Sequence, residues 1–489
     1  MKGDFTRNTF NPDKHFLRVL MQQGRVQLDA DWNEQAAILL HYLQTLAADL
    51  IGPYAGPSGE NFGFAVKPGA NGDFLIGKGR YYVNGILCEN ERDVSYFAQP
   101  DYPRSGENDA LTVGNNFVVY LDVWERHITF VEDDDIREIA LNGPDTATRA
   151  KLVWQVKVIP MLPQYAYCRQ STGLLTGKVL VLSQMCMSAR ARQEQRPTKP
   201  CLTEPEASYR GTENQLYRVE IHDGNFDIDD TGQPKIRDPN RFPTFKFSRE
   251  NGTVIFPVLA LRSGSTSGTV VADLEHLGCD DKRGLAVNDW VEFIDDTIEL
   301  LNQAQSLLQV QAVDPVNRSV TLVGTANVVF DSNQHPFLRR WDQSNANKVN
   351  GAGVAYAMTN DWITLEDGIE VKFSALQAGA LVRRGDYWLI PARTVTGDVE
   401  WPIVKNGLGP ITRGGDNQPI PKALPPMGTV HTYAPLAIIN VGDNNVVRVS
   451  SDCRCSFNPL SYTCQYSYFG RLGIGTQLIC PQETGEANQ

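Results

Sequence analysis

Met21-Gln22-Gln23-Gly24-Arg25-Val26-Gln27-Leu28-Asp29-Ala30-Asp31-Trp32-Asn33-Glu34-Gln35 runs straight into Ile38, Leu39, Tyr42, Leu43, Leu46 and Leu50. Asp31 stands where a helix N-cap is expected and Glu34 follows three residues later, so both side chains can satisfy backbone N–H groups of a first turn. A helix is therefore predicted to start near Trp32. Its apolar residues recur at spacings of three and four, which draws one continuous stripe, and Gly52-Pro53 ends it. A helix placed ahead of any recognisable domain buries such a stripe against the body of its own chain or against another subunit. Both readings stay open at this point.

Downstream of Pro53 the periodicity changes from helical to alternating, with turn residues every eight to twelve positions. Phe74 to Cys88 reads as short strands around Asn84-Gly85, whose tolerance of positive φ suits a tight hairpin. Phe117 to Glu125 and Leu152 to Ile159 read as partner strands, separated by the acidic run Glu132-Asp133-Asp134-Asp135, taken as a solvated segment. Residues 188–212 are rich in Arg, Gln, Pro, Thr and Ser and read as an exposed linker. Three strands follow at Tyr217–His222, Thr244–Arg249 and Thr253–Leu259. Asp289–Ile294, Leu307–Val313 and Ser319–Val323 are spaced like the strands of a small barrel, with Asp314-Pro315 as turn chemistry. The final β-rich block runs from Trp362 through Gly385–Arg393 to His431–Ala437, and the Pro/Gly-rich piece from Asn406 to Gly428 reads as surface loop.

The fold class expected is mainly β, in sandwich and small-barrel modules with an N-terminal α-helix, α+β overall. The division is 1–55 attachment segment and helix, 56–187 first β domain, 188–212 linker, 213–345 second β domain with the barrel-like part, 346–455 third β block and 456–489 Cys-containing tail. No short-period repeat of the propeller or solenoid kind occurs, and no heptad run is long enough for a stable coiled coil.

Composition bounds the partners. The 489 residues are 42% apolar and 21% charged, ordinary for a globular chain of several domains. Lys and Arg total 45 against 57 Asp and Glu, a net charge of −12, so no general affinity for nucleic acid or anionic membrane is expected. The opening Met1-Lys2-Gly3-Asp4-Phe5-Thr6-Arg7 has no apolar core of a signal peptide, and no apolar run reaches the roughly 18 residues of a membrane span. Nine cysteines, an odd number, fit a reduced, cytoplasmic protein.

Few residues fall into patterns that carry chemistry. Asp452-Cys453-Arg454-Cys455 with Cys464 and Cys480 has poor zinc spacing, and buried or free thiols, or a disulfide in this tail, are the alternatives. The seven histidines form no metalloprotease pair. His222-Asp223 could orient a base, but no Gly-x-Ser-x-Gly elbow supplies a nucleophile, and neither phosphate-loop pattern occurs. Glu250, Asp386 and Glu400 lie near aromatic residues and are the candidates for a glycosidase pair. Trp341, Trp362, Trp388 and Trp401 could stack on sugar rings or fill cores. No catalytic residue, metal ligand or cofactor is assigned.

The opening Gly3–Arg7 with Phe10-Asn11-Pro12-Asp13-Lys14-His15, the Gln22 to Gln35 motif, Tyr120–His127, Gly143–Arg149, Tyr217–His222, Phe247–Gly252 and Gly385–Arg393 together resemble a bacterial family of unknown function that occurs with phage-tail-like contractile injection systems. The likeness runs to about residue 455. The opening is also similar in plan to baseplate and tail-fibre proteins, where a Gly-Arg turn precedes an Asn-Glu-containing helix and a Gly-Arg-Tyr-Tyr-Val hairpin like that of residues 79–83 follows. The resemblance implies a structural part with no chemistry of its own, attached through its N-terminal region to other subunits of the particle, be they baseplate, sheath or fibre. It also implies copies in multiples of three. The partner-binding residues expected are Gln22, Gly24, Arg25, Asp29, Asp31, Trp32, Asn33, Glu34, Leu39, Leu43 and Leu46. The rival expectation is a carbohydrate-binding or carbohydrate-cleaving receptor-recognition protein, or cargo, of the same particle.

Overall fold

Helix α1 spans Asp29–Ile51 and is followed at once by β structure. The chain is described from a computed structural model, which covers residues 1–69, 71–103, 111, 114–161, 168, 175, 183–192, 208–228, 234–236, 243–324, 329–343, 354–357, 361–375, 380–405, 411–414 and 418–458. The helix begins three residues earlier than expected. Leu28, in extended conformation, is the N-cap and makes no side-chain cap bond, so Asp31 is not the cap but lies inside the first turn. There Asp29 and Asp31 still complement the positive end of the helix dipole. The C-terminal end is as expected: Gly52, with φ of 95°, donates its N–H to the Ala48 carbonyl at 2.8 Å, and Pro53 cannot continue the ladder.

The predicted hairpin joins strands Gly79–Val83 and Ile86–Asn90, with Val83 opposite Ile86. Asn84 and Gly85 have φ of 48° and 78°, the pair of positive values that a two-residue turn of the favoured twist requires. Gly85 has a second reason to be glycine. A Cβ there would stand 2.0 Å from the Gln44 carbonyl oxygen, so the hairpin tip lies directly against the backbone of α1.

The body is mostly β, as expected, in several sheets and a closed six-stranded barrel. In the first unit, strands in the order Ser456–Phe457, Tyr54–Pro57, Gly79–Val83 and Ile86–Asn90 face a second sheet ordered Val447–Asp452, Thr432–Val441, Asn116–Ile128 and Arg149–Met161. Phe64, Tyr81, Cys88, Leu121, Val156 and Leu436 lie in the core they share. The predicted partners Asn116–Ile128 and Arg149–Met161 pair antiparallel along their whole length. A second unit sets Ala355–Tyr356, Thr244–Ser248, Gln215–Asp223, Tyr387–Arg393 and Asp398–Val399 in one sheet over the sheet Ile363–Thr364, Ile369–Ala375 and Met185–Ala191. Tyr217, Phe245, Phe373 and Trp388 fill the space between them. The barrel runs Ile255–Ser263, Thr269–Leu274, Ser319–Val323, Leu308–Asp314, Trp290–Ile294 and Phe337–Trp341 around Phe256, Phe293, Val310 and Leu338. Register shifts between Val258 and Ala260 and between Val310 and Ala312 supply the local bends that closure of so few strands needs.

Three expectations are corrected. Residues 188–191 are not linker but the end of strand Met185–Ala191, whose alternation buries Met187, Ala189 and Ala191 and leaves the polar Ser188 and Arg190, which mimic a loop, half-buried on the other face. Within the Asn406 to Gly428 piece, most described residues do lie at the surface, but Leu424 exchanges backbone bonds with Met187 at 2.9 Å and packs on the second core. The cysteines are not all reduced: Cys168 and Cys453 form a disulfide, which removes the Cys453 sulfur from any zinc site. Cys455 is free and exposed. Cys201, Cys464 and Cys480 lie outside the described residues.

Substituting Gly85→Ala forces both a left-handed backbone on a Cβ and a displacement of α1, with an expected cost of about 2–4 kcal/mol. Gly72→Ala, at φ of 72° with open space around it, carries the backbone strain alone, about 1 kcal/mol. Urea unfolding of the two variants checks this; equal costs would mean that the hairpin does not lie on the helix.

Candidate subunit-interaction site

At 100° per residue, Trp32, Leu39, Leu43, Leu46 and Leu50 fall within a sector of about 60° on α1, and Ala30, Ala37 and Ala48 lie together on roughly the opposite side. The body contacts the alanine side. Ala30 and Ile38 are buried, whereas Trp32 is 73% exposed, Leu43 60% and Leu50 77%. Leu39, Leu40, Tyr42 and Leu46 are exposed as well. The reading of α1 as an ordinary core helix is therefore overturned. The helix turns its small residues inward and its large apolar residues outward, the reverse of a surface helix that serves its own core.

The residues before the helix continue this surface. Phe16, Leu17, Leu20, Met21, Val26 and Leu28 are all exposed. Gln22, Gly24 and Arg25 form an exposed turn, closed by the Arg25 N–H on the Gln22 carbonyl at 3.4 Å with Gly24 at φ of 70°. Asn33 is exposed beside Trp32. Asp29 and Glu34 are used differently from expectation, because both bind the N-terminal strap instead of their own helix. Asp29 accepts the Thr6 N–H at 2.8 Å and the Thr6 hydroxyl, and Glu34 accepts the Thr9 hydroxyl at 2.5 Å. The Val19 N–H donates to Gln35 at 2.8 Å, which lays the strap along the helix. Of the expected partner-binding residues, then, Trp32, Leu39, Leu43 and Leu46 share one exposed face, Gln22, Gly24, Arg25 and Asn33 border it, and Asp29 and Glu34 hold it in place. Asp31 is half-buried and lies between the leucine face and the alanine side.

The anchor of the strap is a feature that sequence reasoning missed. Gly3 is buried, and its carbonyl accepts from Asn251 Nδ2 at 2.8 Å; the Met1 carbonyl accepts from Arg218 and Asn251 at 3.4 and 3.3 Å. Lys2 lies 3.5 Å from Glu220, a wholly enclosed carboxylate that also meets Arg218 at 2.6 Å and Lys246 at 3.5 Å. Lys246 continues to Glu292 at 2.6 Å, and Trp341 Nε1 donates to the same Glu292 carboxylate at 2.8 Å. Burial pushes the Glu220 carboxyl up, but the charges of Lys2, Arg218 and Lys246 outweigh it and hold the group well below the usual range. Burial in turn lowers the Lys2 ammonium to about 8. The only sequence signal for this anchor was the cluster Gly3-Asp4-Phe5-Thr6-Arg7 itself, whose role depends on partners more than 200 residues away.

The candidates for chemistry are spread over separate ion pairs. Glu250 lies 3.9 Å from Arg340, Asp386 2.8 Å from Arg383, and Glu400 2.9 Å from Arg393. Trp341 and Trp388 are buried core residues, which removes them from any sugar platform. Trp401 donates its Nε1–H to the Lys422 carbonyl at 2.8 Å, and Trp362 stacks under the Arg190 guanidinium at 4.0 Å. His222 is buried next to the Lys246–Glu292 pair and serves the core. A cavity of about 710 Å³ is lined by Arg126, Glu132, Asp296 and His335, among others. Its charged groups pair with one another: Asp296 binds both Arg126 and His335 Nδ1, the latter at 2.7 Å. No group of three or more His, Cys, Asp or Glu side chains suited to a metal ion occurs among the described residues. No helix among them is long and apolar enough to cross a membrane.

Fold and site together define a multi-unit β protein that carries an anchored N-terminal helix with its apolar face turned outward. The chain belongs to a family of unknown function, DUF6519, whose profile matches residues 1–172 and 166–473. No curated protein and no solved structure matches it.

Two outcomes follow. Glu220→Ala leaves Lys2, Arg218 and Lys246 facing one another without their shared carboxylate, with an expected loss of about 3–5 kcal/mol in urea unfolding and faster protease cleavage within residues 16–28. A loss below 1 kcal/mol would mean the strap is not anchored there. The second concerns pH. Burial, then the Lys246 charge, lowers the His222 pKa from 6.5 to about 4, so between these values the unfolded chain binds the extra proton. Stability is therefore lost as pH falls from 6.5 toward 4, by about 1.4 kcal/mol per unit from this group. His222→Phe flattens the unfolding free energy over that window, and an unchanged slope would clear the histidine of a part in acid sensitivity.

Proposed function

We propose that this protein is a non-catalytic structural component of a phage-tail-like contractile injection particle, held in the assembly through its N-terminal region, with the β units carried outward from it. The observation that carries the reading is the outward apolar face of α1. Soluble chains rarely leave this much contiguous apolar surface in water, and such a patch on a well-supported element marks a protein contact. The supports are rigid: the Gly85 hairpin lies behind the helix, and the strap ties its first turns to the Glu220 cluster. A presented, immobilised apolar face loses little conformational entropy when a partner covers it, which suits assembly. The candidate carboxylates are each engaged in separate ion pairs, and Asp296 in the cavity is bound by both Arg126 and His335, which supports a structural part over an enzyme. The link to contractile particles comes from the sequence resemblance of the opening segment, and the inter-subunit role of α1 comes from its geometry.

The test is Leu39→Glu with Leu43→Glu and Leu46→Glu in the producing bacterium, followed by quantifying the protein in purified particles. Three carboxylates buried without partners oppose the contact strongly, so incorporation should drop at least tenfold, equivalent to about 1.4 kcal/mol or more. Thr45→Glu, exposed but off the stripe, should incorporate normally. Undiminished incorporation of the triple variant would overturn the attachment role.

A further inference from the structure

The outward face of α1 has a regular spacing. Trp32, Ala36, Leu39, Leu43, Leu46 and Leu50 follow one another at steps of four, three, four, three and four, which is the d-a-d-a-d-a pattern of three heptads. All six are exposed, and they occupy one face of a single 23-residue helix. A seam of this kind does not fill a groove on a globular partner by chance. It is the pattern by which helices interlock side chains with other helices of the same pitch. The back of α1 is already taken by the hairpin tip at Gln44 and the strap at Glu34, so the seam is the face left for association.

The flanking positions identify the occupant. The e positions are Asn33, Leu40 and Ala47 and the g positions are Gln35, Tyr42 and Asp49, so one charge stands beside the whole seam. Partner choice between different chains is normally written in opposite charges at e and g, and none is written here. A seam without such a code sets almost no like charges against one another when it meets a second copy of itself, so self-association carries no electrostatic penalty. Leu40, Ala47 and Tyr42 also widen the apolar face beyond a and d, and a wide face is fully covered only when each helix meets two neighbours. In the parallel register the large Trp32 layer stands next to the small Ala36 layer, which has room to receive it, and four layers of leucine follow. Two aromatic side chains of 150–250 Å² each and five leucines bring the face to the order of the roughly 800 Å² per partner that a stable interface uses.

We infer that α1 closes on the α1 helices of further copies of this chain, as a parallel bundle of at least three subunits with the seam Trp32 to Leu50 at its centre. The inference rests on the reading of α1 as an inter-subunit element and adds which subunit it meets. Purified full-length protein in light scattering and sedimentation should have the mass of three or more chains, and the Leu39→Glu, Leu43→Glu, Leu46→Glu variant should fall to a single chain. Its circular dichroism and unfolding midpoint as a monomer should show an intact body, because these side chains point away from it. Leu43→Cys should cross-link copies under mild oxidation far more than Thr45→Cys in the same background. A monomeric or dimeric wild type, or equal cross-linking at the two positions, overturns the inference. A monomeric wild type whose incorporation into particles still fails in the triple variant sinks the self-association and leaves the attachment role standing. An oligomer that incorporates regardless of the seam does the opposite.

Discussion

Glu220 is the point on which the rest of the molecule depends. It sits on the central strand of the second unit, it is enclosed, and three cations from three separate stretches of chain converge on it. An ionised carboxylate without water is tolerated only because those cations replace the solvent. In return each cation is committed to one position: Lys2 brings in the strap, Arg218 stacks at 3.6 Å on Tyr387 of the neighbouring strand, and Lys246 reaches the barrel through Glu292. A single desolvated charge thus fixes the arrangement of the N-terminal strap, the second sheet unit and the barrel.

The helix is the counterpart of this arrangement at the surface. The strap it shares with the Glu220 cluster and the hairpin behind it mean that α1 is held at its first turns and from the back. Its outward leucines, most of them with half or more of their surface left in water, add little to the burial that stabilises the single chain, and that exposure costs the protein solubility. An exposed apolar face of this kind is the mark of a contact surface.

Much of the architecture was legible in the sequence, and the reasons are local. Asn84-Gly85 dictates its hairpin through backbone conformation alone, and Phe117 to Glu125 with Leu152 to Ile159 announce themselves as strands through composition and alternation. Three of the six barrel strands were legible from spacing, and Thr253–Leu259 was read as a strand but not as part of the barrel; Thr269–Leu274 and Phe337–Trp341 were not read. What escaped was set by contacts between distant segments. Asp31 has the chemistry of a cap, yet Leu28 takes the position and the strap uses the acids of the first turns. The apolar stripe could be read, but its direction could not, because a stripe does not say what it faces; the alanines at 30, 37 and 48, opposite the leucines, were the unread sign of close approach on the other side. Met185–Ala191 was hidden because its outward residues are those of a loop. The bond between Cys168 and Cys453 joins positions 285 residues apart and has no local signature.

That bond has a topological consequence. Its two ends lie at the first unit, and the loop it closes contains the whole of the second unit and the barrel. The first unit is therefore a host and the remainder an insertion, entered near residue 161 and left near residue 432, with a covalent clasp across the gateway. Of the two paired strands that complete the host sheet, Asn116–Ile128 lies outside the closed loop and Thr432–Val441 inside it, so the clasp ties the two parts of the host together covalently, and a pull on the insertion from its C-terminal side meets Thr432–Val441 of the host before it reaches the clasp. A pull arriving through α1 meets the host first as well. It reaches Tyr54–Pro57, whose bonds to Gly79–Val83 on one edge and Ser456–Phe457 on the other run across the direction of the chain and share the force in shear rather than opening one after another.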